Sequence, residues 1–272
     1  MANDIIVNSL GTVKGVSYVG VTETPETRAS SEQIGRLFRR YHFAFLDVAD
    51  KDVLEVACGA GMGLGYLARR ARRVVGGDID PALVESTKIN YSSRANVEVM
   101  ELDAMNLPFE DDSFDLVILF EAIYYLPAPE IFLREAKRVL RKGGKLYICS
   151  ANIEWDEFNP SPNSRRYFKA KDLVVMMREC GFETELYGDC PIQEKKLISK
   201  FVGVLKKMAV RFDLMPRTMK GKEFLKRIFF GELQSIPREI NESMSPYIPL
   251  AKVENIAEPF TKFKVIFCVG RL

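Results

Sequence analysis

The 272-residue chain carries 39 Lys/Arg against 37 Asp/Glu and is 47% apolar, the balance of a folded globular protein rather than a disordered one. Its single histidine excludes a metal centre built from several histidines, and its five scattered cysteines, odd in number and without C-x-x-C spacing, read as reduced core thiols. The opening MANDIIVNSL has no basic stretch before an apolar core, and no apolar run approaches bilayer length, so a cytoplasmic chain without signal peptide or membrane span is expected.

Residues 1–51 read as a polar arm followed by one helix. In SSEQIGRLFRRYHFAFLD the apolar residues Ile34, Leu37, Phe38, Phe43 and Phe45 suit an amphipathic helix, with Ser30 or Ser31 as its cap. From residue 52 to about 151, strands and helices alternate. DVLEVAC, RVVGGD, VEVMELD, FDLVILF and KLYICSA are strands. GLGYLARRA, PALVESTKINYSS (opened by Pro81) and PEIFLREAKRVLRKGG (closed by Gly143) are helices. Such alternation predicts a parallel sheet with helices on both faces, and the nearly continuous apolar strands fit burial on both sides. Then come a loop, NIEWDEFNPSPNSRRYF, a helix, KAKDLVVMMRECGF, and a strand, ETELYGDC. Residues 52–192 would thus form the core, 193–258 a largely helical insertion, and 259–272, with KFKVIFCVGRL, a final strand of the core.

The segment DVLEVACGAGMGLGYLARRARRVVGGDID places Gly59, Gly61, Gly63 and Gly65 between two strands, with Asp78 at the end of the second. A glycine-rich strand-to-helix turn admits a ligand to the backbone, and an acidic residue ending the next strand can take both hydroxyls of a ribose. A dinucleotide fits the spacing poorly. G-x-G-x-x-G from Gly59 or Gly61 meets Leu64 or Tyr66, and from Gly63 it runs to Ala68, well into the helix. Glu55, inside the first strand, would repel a pyrophosphate but could pair with an ammonium. A ligand with a ribose, an adenine and a zwitterionic amino acid fits better, and S-adenosylmethionine (SAM) is that ligand.

Together, VLEVACGAGMG, VVGGDIDPALV and VEVMELDAMNLPFEDDSFDLVILFEAIYYLPAPEIFLREAKRVLRKGGKLYI resemble the class I SAM-dependent methyltransferases of the small-molecule branch, over roughly residues 30 to 190 plus the final strand. The resemblance implies a doubly wound, Rossmann-like α/β fold with a seven-stranded sheet, its last strand antiparallel and the insertion between strands six and seven. It implies that Glu55, Gly59 and Gly61 surround the methionine part of SAM. Asp78 would take the ribose hydroxyls and Ile79 pack on the adenine. Asp103 would accept from the adenine amino group beside Ala104, and Phe120 border the sulfonium. A looser resemblance, in NPSPNSRRYFKAKDL and KFKVIFCVGR, is to enzymes of bacterial surface-glycan and nucleotide-sugar pathways. It points to O- or N-methylation of a sugar, with Arg165 and Arg166 binding a substrate phosphate or carboxylate.

A hydroxyl acceptor needs a base as attack proceeds. His42, Tyr124, Glu121 and Asp156 are the candidates, and Tyr124 and Tyr125 stand where related sequences often carry histidines facing the cofactor. Asp80 reads as the cap of the helix opened by Pro81, and Gly63 and Gly65 serve either the ligand or helix packing. The stretch Glu194–Arg227 holds eleven Lys/Arg and three Asp/Glu, leaving the rest of the chain net acidic. With Leu197, Phe201, Val204, Leu205 and Met208 at helical spacing it reads as a helical lid with a solvated basic face. The alternatives are a binding surface for a phosphorylated substrate or for anionic lipid, the latter for a lipid or quinone methyltransferase; a non-catalytic subunit of the same fold is a further reading. The expected partner is a small-molecule acceptor, with no nucleic acid and no metal.

Overall fold

The computed structural model describes residues 6–7, 13–14, 17–192, 233–256 and 259–272. In chain order the elements are β1 (Ile6–Val7), β2 (Val13–Lys14), β3 (Arg28–Ala29), α1 (Ser31–Phe45), β4 (Asp52–Val56), α2 (Leu64–Leu67), β5 (Arg73–Asp78), α3 (Pro81–Tyr91), β6 (Val97–Glu101) and β7 (Phe114–Phe120). A 3₁₀ turn (Ile123–Tyr125) leads into α4 (Pro129–Val139) and β8 (Leu140–Ala151). Then follow α5 (Ala170–Glu179), β9 (Glu183–Pro191), β10 (Gln234–Ser235), β11 (Ala251–Val253) and β12 (Phe263–Arg271).

One sheet dominates, in the order β11-β9-β12-β8-β7-β4-β5-β6. Strands β4 to β8 pair in parallel, while β12 runs antiparallel to both β8 and β9. The order reverses at β4, and ligands of such sheets bind beyond the carboxyl ends of the strands at that reversal. Both faces are covered because alternate residues of each strand face opposite ways. Leu54, Val117 and Leu119 join one apolar cluster, with Phe132 of α4 and Leu173 of α5. Their neighbours Val53, Leu116 and Ile118 join the other, with Leu37 and Phe38 of α1 and Leu64 of α2.

Helix α1 starts at a capping box. The Ser30 hydroxyl accepts the Gln33 N–H, and the Gln33 side chain accepts the Ser30 N–H in return. Asp80 caps α3, accepting the Ala82 N–H at 3.0 Å, with Pro81 next to it.

The structure departs from expectation at three places. The sheet has eight strands rather than seven, since β11 adds to its edge beside β9. Helix α4 ends at Val139, where Leu140 already pairs with Phe114, so Gly143 (φ +78°) serves an irregularity in β8 and not a helix cap. The described part of the insertion, residues 233–256, is extended chain with two short strands and not helix. Pro237, Pro246 and Pro249 lack the N–H groups a helix would need there. The basic stretch Glu194–Arg227, with its predicted helical lid, lies outside the described residues.

Candidate active site

A cavity of about 270 Å³ opens at the carboxyl ends of β4, β5 and β7 and reaches the loop after β6. Gly59, Asp78, Ile79, Asp103, Ala104, Phe120, Tyr124, Tyr125 and Arg165 all line it, so nine of the sequence-predicted residues converge on one space. At its floor Ala57 and Gly59 take left-handed backbone angles (φ +55° and +57°), and Gly61 does the same (φ +68°).

Asp78 fastens this loop. Its two oxygens accept the N–H groups of Gly59 (2.8 Å) and Asp80 (3.0 Å), and burial raises its pKa above the ordinary carboxylate value. Asp103 accepts the Met105 N–H at 2.9 Å.

The other glycines serve packing. A Cβ on Gly63 would lie 1.8 Å from the Tyr41 ring, on Gly65 2.1 Å from the Glu239 carboxylate, and on Gly61 2.3 Å from Thr87. Gly61 does not line the cavity, nor does Glu55. Glu55 is 1% exposed and accepts the Tyr41 hydroxyl at 2.5 Å, while its second oxygen has no partner. Desolvation is the main reason its pKa is pushed up to about 7. Glu55 thus reaches the site through Tyr41, whose ring lines the cavity and packs edge-on to Phe120, with centroids 5.4 Å apart.

The strap Ser17–Glu23 roofs the cavity. The Ser17 hydroxyl and Tyr18 N–H both donate to Asp80 Oδ2, the Tyr18 ring meets Tyr125 edge-on, and Glu23 accepts from Arg40 Nη2 at 2.6 Å. Thr22 closes on Gly59, where a Cβ would lie 2.7 Å from its methyl carbon.

At the far end stand Glu121, Tyr124 and Arg40. Glu121, just beyond β7, holds a left-handed backbone (φ +52°) although it has a side chain, and its N–H donates to Cys149 O at 2.8 Å. One carboxylate oxygen accepts the Tyr124 hydroxyl at 3.1 Å; the other lies 3.9 Å from Arg40. Tyr124 is buried and stacks on Tyr167, and its pKa is raised, chiefly by desolvation and then by the Glu121 charge. The Tyr125 hydroxyl is 2.5 Å from Ser161 Oγ.

Three more predicted residues, His42, Arg166 and Asp156, stand elsewhere; Asp156 is exposed and does not line the cavity. His42 lies off the cavity, on the outer side of α1, hydrogen-bonded to the Tyr66 hydroxyl at 2.7 Å and 4.2 Å (centroids) from Tyr247; desolvation lowers its pKa. The helix turn that brings Tyr41 inward carries its neighbour outward. Arg166 is exposed and covers the Phe168 ring. Sequence reasoning missed Tyr18, Glu23, Arg36, Arg40 and Tyr41. The available signal was the spacing Arg36–Arg40, one helical turn within an otherwise apolar face. Among the described residues no cluster of three His, Cys, Asp or Glu could hold a metal, and no helix is long and apolar enough to cross a membrane.

The left-handed cradle at Gly59, the carboxylate after β5 and the second acid after β6 fit the amino-acid, ribose and adenine parts of SAM. Residues 54–148 match a family model described as a methyltransferase domain. Residues 54–148 are thus a methyltransferase domain similar to those of the class I SAM-dependent methyltransferases, a class whose cofactor is SAM. A probable SAM-dependent methyltransferase of Mycolicibacterium smegmatis is 33% identical over 158 residues, 54% of this chain and 60% of that one. A fatty-acid O-methyltransferase of the same organism is 37% identical over 135 residues, 47% of this chain and 48% of that one. The chain thus spans about half the length of these curated relatives. A solved SAM-dependent methyltransferase of Thermotoga maritima, titled a possible histamine N-methyltransferase, has a TM-score of 0.54 at 17% identity, covering 88% of this chain and 91% of that one. That likeness shows the fold. The comparisons do not confirm the narrower resemblance to sugar-pathway enzymes.

Proposed function

We propose that the chain transfers the methyl group of SAM to an oxygen of a small acceptor with an apolar body, and that Glu121 takes the proton. The observation that carries this reading is the left-handed Glu121 at the carboxyl end of β7, its carboxylate on the cavity wall. A non-glycine residue held there costs on the order of 1–3 kcal/mol, and such strain concentrates at working sites. When bound, SAM supplies a methyl group already activated on sulfur. Asp78 and Asp103 would hold its ribose and adenine, with Gly59 at its methionine part and Phe120 beside the reacting sulfur. Glu121 would take the proton of the acceptor hydroxyl as that oxygen is methylated, and its Tyr124 hydrogen bond fixes the carboxylate plane.

Tyr18, Tyr125, Leu126 and Pro127 line the cavity with ring and aliphatic surface that suits an apolar acceptor body. The fatty-acid substrate named for one relative supports the same choice. Contact of the basic stretch Glu194–Arg227 with an anionic membrane surface belongs to this reading, and vesicle flotation tests it. The main test uses methyl-labelled SAM with separate lipid, organic-acid and sugar extracts, scored by mass spectrometry. Glu121→Gln should lower kcat on the methylated acceptor roughly 10²–10⁴-fold and leave S-adenosylhomocysteine affinity unchanged. Full turnover by that variant would remove Glu121 from the mechanism, and labelling confined to the sugar fraction would reverse the acceptor assignment.

A further inference from the structure

Helix α1 turns two arginines, Arg36 and Arg40, into the cavity. Arg40 is committed: it is 5% exposed, donates to Glu23 of the strap at 2.6 Å and stands 3.9 Å from Glu121. Arg36 is not. Among the described residues it makes no hydrogen bond or ion pair, and its Nε is buried without a partner; the Nε of Arg40 is buried and unpartnered as well, but the Arg40 Nη groups have Glu23 and Glu121. A guanidinium carries five N–H donors in a planar fork matched to carboxylate and phosphate oxygens, and leaving such donors buried and unmet is costly.

The place of Arg36 separates it from the cofactor. Its charged neighbours are Glu121, after β7, then Glu23 and Arg40, and the neutral Cys190 thiol at the end of β9 lies near it too. Strands β8, β12 and β9 lie on one side of β7. Strands β4 and β5, with Gly59 and Asp78 at their ends, and β6, followed by Asp103, lie on the other. Arg36 is therefore beyond the reacting end, where an acceptor would sit. There Arg36 stands with Arg40, Glu23 and Glu121, and of these four Arg36 alone has no hydrogen bond or ion pair among the described residues.

We infer that Arg36 receives an oxyanion of the methyl acceptor, a carboxylate or phosphate, so that the site selects hydroxylated apolar acids over their neutral analogues. The oxyanion meets the Arg36 fork in two parallel hydrogen bonds, and the acceptor hydroxyl is left facing Glu121. This rests on the reading of the cavity as a methyl-transfer site.

The test is calorimetry on the full chain saturated with S-adenosylhomocysteine, titrated with 3-hydroxydecanoate, phenyl phosphate and 3-hydroxydecanamide. At least one anion should bind saturably, which also tells carboxylate from phosphate, and the amide should bind about tenfold more weakly or not at all. Arg36→Met should weaken the anion by about tenfold or more, with Arg36→Lys between the two, since lysine keeps the charge but not the fork. Both variants should keep wild-type S-adenosylhomocysteine affinity and thermal midpoint. Should Arg36→Met misfold, Arg36→Lys alone decides. The inference is overturned if neither anion binds, if the amide binds as well as the acid, or if the folded variants bind the anion unchanged. It is equally overturned if they lose S-adenosylhomocysteine, because the oxyanion would then be the cofactor's own. Failure of S-adenosylhomocysteine to bind the wild type would instead strike the underlying reading of the cavity.

Discussion

Replacing Glu55 by Gln should change how stability depends on pH. Glu55 is enclosed within β4, with one oxygen bonded to Tyr41 and the other unpartnered, and its pKa is pushed up to about 7 from an ordinary 4.5. A carboxyl whose pKa is raised on folding binds its proton more tightly in the native state. Between about pH 4.5 and 7 the unfolded chain has lost that proton and the folded chain keeps it, so stability falls as pH rises. At about 1.36 kcal/mol per pH unit, the loss across that window is on the order of 3 kcal/mol. Glutamine does not titrate. It can keep the Tyr41 bond, although its amide leaves a buried donor unmet at a cost of about 1–3 kcal/mol. The slope is therefore the diagnostic, not the offset. Urea unfolding of wild type and Glu55→Gln from about pH 4.5 to pH 8 should show the variant gaining on wild type by about 3 kcal/mol as pH rises, because groups common to both cancel. Parallel curves would refute the reasoning and mean that Glu55 is ionised in the folded protein throughout.

Gly63→Ala should destabilise the protein by about 1–3 kcal/mol, read as a lower thermal midpoint, because the new methyl meets a Tyr41 ring pinned from behind by Glu55. Asp78→Ala should weaken S-adenosylhomocysteine binding by roughly 1.5–3 kcal/mol in calorimetry, losing a charge-assisted bond to ribose and the clamp on the Gly59 N–H.

The parallel core was legible in the sequence because each strand is a short apolar run and each helix carries a local start signal. Ser30 and Asp80 cap through neighbours two or three residues away, so local reading sufficed. The convergence of Gly59, Asp78 and Asp103 on one cavity was legible for a related reason: each closes or follows a parallel strand, and the sheet brings strand ends together. The walls around Glu121 were not, since they depend on contacts distant in the chain. Tyr41 turned inward and His42 outward is a matter of helix phase, set by where α1 lands on Gly63. Glu23, Arg40 and Glu121 meet only once the strap, α1 and β7 are assembled. Residues 233–256 deceived for the opposite reason. Their prolines argue against helix, but their path depends on remote partners, the Thr27 carbonyl for Ile236 and Met62 for Ile240.

The roof over the cavity bears on access to it. Asp80 divides its work between two oxygens: Oδ1 caps α3, and Oδ2 alone fastens Ser17 and Tyr18. The strap can therefore let go of Asp80 without uncapping the helix, and its other fastenings, the Tyr18–Tyr125 ring contact and the Glu23–Arg40 ion pair, are side-chain contacts that break and re-form without unfolding any strand. Tyr18, Val21, Thr22 and Glu23 of this strap line the cavity, so a ligand held there would lie beneath contacts that are inexpensive to release. Access to the space beneath is therefore governed by side-chain contacts alone and not by the pairing of the sheet.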